Sequence, residues 1–421
     1  MNDFITPSGL DLTNNLHGHV RVETRSRWTG KVIDSQEKDN LVTNALKTMV
    51  QTVQQYNALF SIWAPINEYG LGGLMLFNDT LTESASNIRF PSTAKLVAFA
   101  GQEADTTNAM CGSLNSSESI LTSNGFTSVW DFLTSQGNGT IASLARTSFR
   151  VKNNPLFAYS GNAFTFANGS NSPYATAIGY DETNHILYFT VANNATVAGI
   201  SFNRTTIYKT KYDITQLTLT SSPVDARRCE VVKTLTNSDG TQYAYNWVYD
   251  KFEDNFVYAN GTTLHFIALD GTHTTKTATG VSGYRLAITE NYFWVAGSAG
   301  GIYRITKTNT SDVLQISAAN KAYIAPSAGD VVFNYAAGMG EHIIVYPDGS
   351  TVTVTGVTGN TSYPQYNSSY LDIFPLYGLS GTQNMIMFPS TNYLGTIANL
   401  DSPVTKTSSQ TMKITYTLTE S

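Results

Sequence analysis

Hydrophobic and polar positions alternate with the strand period over most of this chain, and a helical period shows in one place. Near the start, Val20 and Val22 alternate with His19, Arg21 and Glu23, the pattern of a strand with one buried face. A turn at Thr29-Gly30 leads into a second strand at residues 31–34 and then a polar stretch ending at Asp39-Asn40, either of which can cap a helix. Leu41, Val42, Ala45, Leu46, Met49, Val50 and Val53 follow at three- and four-residue spacing. That stripe predicts one amphipathic helix over about residues 40–55. Farther on, "VWDFLTSQGNGTIASL" from Val129 reads as strand, turn and strand, with Asn138-Gly139 as a hairpin signal. Trp130, Phe132, Ile141 and Leu144 are the core side chains expected of it.

From about residue 150 the pattern repeats: a polar pair, a run of large apolar residues, a turn of small residues and a second strand. It occurs as "NHILYFTVANNATVAGISF" from Asn184, "DNFVYANGTTLHFIAL" from Asp254, "ENYFWVAGSAGGIYRI" from Glu290, "EHIIVYPDGSTVTV" from Glu341 and "QNMIMFPSTNYLGTI" from Gln383. The later copies recur at roughly 36 to 51 residues, close to the period of four-stranded propeller blades. Flanking strands at residues 284–288, 312–316 and 331–335 supply the remaining members of each unit. Another hairpin, "CEVVKTLTNSDGTQYAYNWVY" from Cys229, is expected to be an irregular or inserted blade. The expectation is a propeller-like array of about five to seven blades, with a β-sandwich or a stack of small β-domains as the alternative.

The end of the chain breaks this pattern. Met412, Ile414, Tyr416 and Leu418 alternate with Lys413, Thr415 and Thr417, and an amphipathic strand left unpaired is an aggregation hazard. Residues 20–24 match it in pattern and are its expected partner. The fold expected is mainly β, with a β-propeller-like repeat array (151–400) inserted in a small α+β platform that residues 1–150 and 401–421 build.

Composition narrows the function. Only 13% of the 421 residues are charged, about half the usual share. A net charge of -6 argues against a basic nucleic-acid face. No apolar run approaches the roughly 18 residues of a spanning helix, and residues 1–4 do not resemble the start of a signal peptide. Cys111 and Cys229 stand far apart, which implies neither a disulfide framework nor a zinc site. His17 and His19 share a strand face, yet lack a third metal ligand. His185, His265 and His342 lie in or beside the repeat strands, where core histidines are expected. "YGLGGLML" from Tyr69 lacks the lysine of a phosphate loop. The triplet at Asn138–Thr140 carries no weight as a glycosylation site without a secretion signal. No cofactor and no metal are expected.

Three phrases, "GHVRVETRSRWTGKVIDSQEKDNLVTNALKTMV", "VWDFLTSQGNGTIASLARTSF" and "LGTIANLDSPVTKTSSQTMKITYTLTE", together resemble tailed-bacteriophage virion structural proteins of the tail-tip, fibre, collar or head-fibre kind. The resemblance covers roughly the first 150 and last 30 residues and leaves the repeats uncovered. It implies a virion location after synthesis in the host cytoplasm, terminal regions that bind other virion proteins and copies of the chain, and a middle part free to contact a host-surface glycan or protein. Residues Gln136, Gly137, Asn138, Gly139 and Thr140, read as a hairpin tip, are the candidate assembly contacts. A glycan-cleaving tail enzyme is the rival, since phage tail proteins also include such enzymes. It needs two carboxylates at one pocket, with Asp181, Glu182, Asp250, Asp254, Glu290 and Glu341 as candidates. A purely architectural decoration or collar protein is the third possibility. The expectation is a non-enzymatic structural protein.

Overall fold

The computed structural model describes residues 16–147, 175–357 and 393–420, apart from short internal stretches of which 51–62 and 212–225 are the longest, and the two-residue strand Ala163–Phe164. The chain is mainly β. Its first eight strands are β1 (Leu16–Ser26), β2 (Val32–Val42), β3 (Gly73–Phe77), β4 (Leu96–Ala100), β5 (Cys111–Leu114), β6 (Ile120–Thr122), β7 (Gly125–Phe132) and β8 (Gly139–Thr147). Four further sheets follow. Sheet I holds β9 (Ala163–Phe164), β10 (Ala175–Asp181) and β11 (Ile186–Val191). After a separate ribbon of β12 (Ala195–Val197) and β13 (Ile200–Phe202), it is completed by β14 (Thr206–Thr210) and β15 (Cys229–Thr234). Sheet II is the meander β16 (Val248–Asp250), β17 (Asn255–Asn260), β18 (Thr263–Ala268), β19 (His273–Thr277). Sheet III is β20 (Arg285–Ile288), β21 (Tyr292–Ala296), β22 (Ile302–Thr306), β23 (Asn309–Ile316). Sheet IV is β24 (Tyr323–Pro326), β25 (Val332–Tyr335), β26 (Gly340–Val345), β27 (Thr351–Val357). The last two strands, β28 (Leu394–Lys406) and β29 (Gln410–Glu420), return to the first eight.

What the chain ends build is a closed barrel, not an α+β platform. The order is β29-β1-β2-β28-β8-β3-β4-β5-β7, and β7 pairs back onto β29 to close nine strands, with β6 attached outside the ring to β7. β1 and β29 pair along their whole lengths, with Val20 opposite Tyr416 and Val22 opposite Ile414. Their inward residues join Phe126, Trp130 and Leu144 in the barrel core. Closure removes the free edges that an open sheet would expose.

The helix expected at 40–55 is corrected at its start. Residues 34–40 lie inside β2, whose register is imposed by β1, with Glu37 opposite Arg21 and Asp39 opposite His19. The polar stretch is that of a strand whose outer face is exposed and whose inner face is only half-buried. Thr43, not Asp39 or Asn40, begins the helical turn: its carbonyl accepts from Lys47 N at 3.2 Å. Residues 44–47 and 50 are helical, and the rest of the expected helix to about residue 55 lies outside the described residues. Ala45, Leu46 and Val50 are buried, as their spacing predicts.

The repeats form four sheets stacked in chain order, with apolar clusters between successive members. Tyr188 of sheet I packs on Tyr249 and Phe256 of sheet II, with ring centroids 4.6 and 5.1 Å apart. On β21, Phe293 and Val295 face the cluster shared with sheet II, while Trp294 and Ala296 face the cluster shared with sheet IV. Burial on both faces is why these strands read as unbroken apolar runs. The opening strands of sheets II, III and IV start at Val248, Arg285 and Tyr323, spacings of 37 and 38 residues. The wider spacing read from the sequence came from phase: "EHIIVYPDGSTVTV" is the third and fourth strand of its sheet, whereas the copies from Asp254 and Glu290 are second and third. "CEVVKTLTNSDGTQYAYNWVY" is no extra blade, since it closes sheet I with β15 and opens sheet II with β16. The end of the fifth copy, Leu394 to Ile397, is barrel strand β28, and residues 383–392 of that copy lie outside the described residues.

Candidate attachment surface

Residues 133–140 are the first place to look for a contact, and they do not form a hairpin tip. β7 pairs with β5, β6 and β29, while β8 pairs with β3 and β28, so the segment between them is a crossover at one end of the barrel. Gln136 fixes it from inside: its Oε1 accepts from Leu133 N at 3.0 Å and its Nε2 donates to Asn108 O at 3.4 Å. Gly137 N donates to Ala109 O at 2.8 Å, and its φ of 59° together with the ring of Phe132, 2.9 Å from where a Cβ would stand, requires glycine. Among the five candidate contacts, Gln136 and Gly137 are buried and Gly139 is half-buried, while Asn138 and Thr140 are exposed. Asn138 Oδ1 accepts from Lys406 Nζ at 2.8 Å, and burial lowers the Lys406 amine to about 8. Trp130, Phe132, Ile141 and Leu144 are core residues, with Trp130 Nε1 donating to Gly101 O at 3.0 Å.

The exposed surface with built structure lies instead across β2, β1 and β29. Alternation sends His19, Arg21, Glu23 and Arg25 of β1 outward; His19 and Arg21 stand opposite Asp39 and Glu37 of β2, and all four stand opposite threonines or Lys413 of β29. Glu23 is buried beneath its neighbours and accepts from Arg21 at 2.9 Å and Arg25 at 3.1 Å. Arg21 also reaches Glu37 at 3.3 Å. Lys413 bonds Glu118, whose carboxyl this contact holds below its ordinary pKa. At the β1–β2 turn the charge gives way to apolar groups: Trp28 is 78% exposed, Ile33 55% and Val32 46%. The turn is tied by Ser26 N to Lys31 O and Gly30 N to Ser26 O, both 2.9 Å.

At the other end of β1, Leu16, His17, His19, Asp39, Lys47 and Thr417 line part of a cleft of about 370 Å³. His19 Nδ1 lies 2.9 Å from Asp39. Among the described residues, no three His, Cys, Asp or Glu side chains are arranged to hold a metal. Of the candidate acids, Asp181 and Asp254 lie near the same tyrosine pair, Tyr188 and Tyr249, whose pKa values burial and the two carboxylates raise, while the other described ones stand in separate contacts. Asp181 accepts from Thr183 N and Asn184 N at 2.9 Å each; Asp254 accepts from Tyr249 OH at 2.7 Å; Glu341 pairs with Lys321 at 3.1 Å; and Glu290 pairs with Arg89 of the barrel part. Asp250 is buried against Lys307 at 2.6 Å, where burial raises the acid's pKa and lowers the amine's against their mutual attraction. Glu182 and His185 lie outside the described residues. His265 and His273 stack at 5.4 Å, and His342 is buried in sheet IV.

Sequence reasoning missed Arg146, which alternation places inside the barrel. Its guanidinium carbon sits 4.5 Å from the Trp130 ring centroid and 4.6 Å from that of Tyr416, and Nε donates to Gly73 O at 3.2 Å. Desolvation lowers its pKa to about 9. The aromatic spacing on β7 and β29 was legible, but no local signal shows that β8 lies across the lumen from both.

No family model matches the chain, and no curated protein matches it. Among solved structures, a nidogen/laminin complex aligns at 13% identity over 68% of this chain and 94% of that one, with a TM-score of 0.30. A protein of unknown function from Desulfotomaculum acetoxidans aligns at 9% over 71% and 84%, TM-score 0.29. The Cps50 (Swd1) β-propeller domain of Myceliophteria thermophila aligns at 12% over 59% and 91%, TM-score 0.28. Superpositions this loose carry no argument about fold or role.

Proposed function

We propose that the chain is a non-enzymatic structural protein of a tailed-bacteriophage virion, in which the barrel attaches to the particle and the sheet array is displayed for contact with the host surface or a partner. The phage assignment rests on the resemblance of the terminal sequences. The observation that carries the division of labour is the point of insertion. The chain leaves the barrel after β8 and returns on β28, and these strands are paired neighbours with Thr147 opposite Leu394. One barrel therefore holds both ends of the described chain, and the array is a single excursion from it. The array is read as propeller-like because its sheets succeed one another through strands near the start of each: β10 meets β16, β16 meets β20, and β20 meets β24. Sheet IV is seated on the barrel through Phe333 and Tyr346, with Leu96 N donating to Tyr346 OH at 3.1 Å and Phe90 edge-on to Phe333, which favours a rigid mount.

The test is quantitative protein analysis of purified particles from cells infected with the phage whose genome encodes this chain. It should be present at a fixed ratio to the major structural proteins, and antibody against the array should label intact particles. Absence from washed particles overturns the proposal. Incubation of the full chain with host polysaccharide should release no reducing ends; release that is lost on replacing one of the acids named above would favour the glycan-cleaving reading.

A further inference from the structure

Arg146 carries a positive charge into the barrel, and no described group there balances it. The side chain is wholly buried, inward on β8 like Leu144 two residues earlier. A guanidinium is all donor and no acceptor. Its Nε donates to Gly73 O at 3.2 Å, and its Nη2 donates to Leu71 O and, at 3.5 Å, to Asn67 Oδ1. Nη1 is buried without an acceptor. The ring centroids of Trp130, Tyr416 and Phe126 lie 4.5, 4.6 and 5.6 Å from the guanidinium carbon, but rings and carbonyls offer partial charge only. Among the described residues no carboxylate acts on Arg146: desolvation lowers its pKa and only Tyr416 opposes that. A buried charge is ordinarily paired.

Further unbonded polar groups occupy the same layer of the barrel. β8 pairs with β28 at Arg146–Thr396, and β28 pairs with β2 at Thr396–Val42, so Asn40, two residues before Val42, also faces inward. Its amide is buried and unbonded. It folds over Gly18, which has no side chain to obstruct it: Asn40 Oδ1 lies 2.6 Å from where a Cβ would stand. Gly18 pairs with Leu418, and Tyr416 is the next inward residue of β29. The Tyr416 hydroxyl stands beside Asn40 and Thr396 and close enough to feel Arg146, yet it too is buried without a hydrogen bond. We propose that Arg146 Nη1, Tyr416 OH and Asn40 Nδ2 hold a small inorganic anion of the halide class, chloride in the cell, inside the barrel. A water molecule would satisfy these donors and leave the charge unbalanced, whereas an anion does both. The surroundings set its size. Phe126, Trp130 and Tyr416 share one buried cluster with Leu46, Val50 and Ile66, which favours a monatomic ion over a bulky carboxylate. The site goes beyond the virion proposal and does not rest on it.

An ion enclosed in the folded barrel is read out as linked stability. In denaturant melts of the full chain at constant ionic strength, with chloride exchanged for gluconate, the folded-to-unfolded ratio should rise about tenfold for each tenfold rise in chloride above the dissociation constant. Constant ionic strength removes general screening, and bromide should act as chloride does. Tyr416→Phe keeps the ring and removes one donor to a charged group, so the dependence should begin at about tenfold higher chloride. Arg146→Met should abolish it; where that variant fails to fold, Tyr416→Phe and Asn40→Leu carry the test. Crystals grown in bromide should show an anomalous peak in contact with Arg146 Nη1. Melts that are identical in chloride and gluconate overturn the proposal. So does a chloride dependence that Tyr416→Phe and Asn40→Leu leave unchanged, which is binding at the surface, or a bromide map with no peak beside Arg146.

Discussion

At the scale of single residues, two buried ionisable sites set limits on stability. Asp250 at the end of β16 and Lys307 after β22 form an ion pair between sheets II and III, sealed by Phe252 and Phe293, each within about 5 Å of the ammonium. Lys307→Met leaves a buried carboxylate without its cation and should destabilise the protein by about 3–5 kcal/mol, whereas Lys307→Met with Asp250→Leu should recover most of that loss. Denaturant melts of the two variants compare them directly. His342 is held neutral by burial, its pKa lowered to about 4 from 6.5. Between those pH values the unfolded chain binds a proton that the folded chain does not. Stability is therefore complete above about pH 6.5 and falls as the pH drops toward about 4, by roughly 3 kcal/mol in all. His342→Leu should flatten the melting temperature across that window relative to wild type, even if it lowers stability at neutral pH. An unchanged slope would place the acid sensitivity in other groups.

At the scale of elements, β29 bears the greatest burden. It is zipped to β1 on one edge and β7 on the other, with Ile414 opposite both Val22 and Trp130. Met412, Ile414, Tyr416 and Leu418 all point into the barrel core. Deleting residues 412–418 removes those side chains, each worth about 1.5–3 kcal/mol when fully buried, and opens two edges at once. The truncated chain should be insoluble or molten. A soluble product with unchanged cooperative melting would mean that the ends fold independently. The crossover at 133–140 alters the meaning of a substitution there. Gly139 has φ 145° and Val97 lies 2.9 Å from where its Cβ would stand, so Gly139→Arg perturbs the fold before it perturbs any contact.

At the scale of the molecule, the barrel and the array meet through two neighbouring strands and one seated sheet. Because Thr147 and Leu394 are paired, a short flexible linker in place of residues 150–392 has little distance to span. The excised barrel should therefore be soluble and melt cooperatively once Phe90 and Leu96, which lose their contacts to Phe333 and Tyr346, are made polar. Two-dimensional amide spectra with dispersed strand shifts would confirm it, and collapse would show that sheet IV is part of the barrel's core.

The sequence alone determined the local periods. The alternations on β1 and β29 named their inward residues, the apolar runs from Asp254, Glu290 and Glu341 located strands of three sheets, and the core set Trp130, Phe132, Ile141 and Leu144 was read from one stretch. These features are encoded within a few residues, because a side chain's face depends only on its own strand's pleat. Tertiary structure decided what pairs with what. It made strand of the polar residues 34–40 because β1 supplied the partner, and it turned an Asn-Gly hairpin signal into a crossover because β7 and β8 found other neighbours. It also phased the repeats, drew Leu394 to Ile397 into the barrel and set Arg146 among aromatic rings. Each of these depends on strands remote in the chain, and no local pattern records which distant strand will lie alongside.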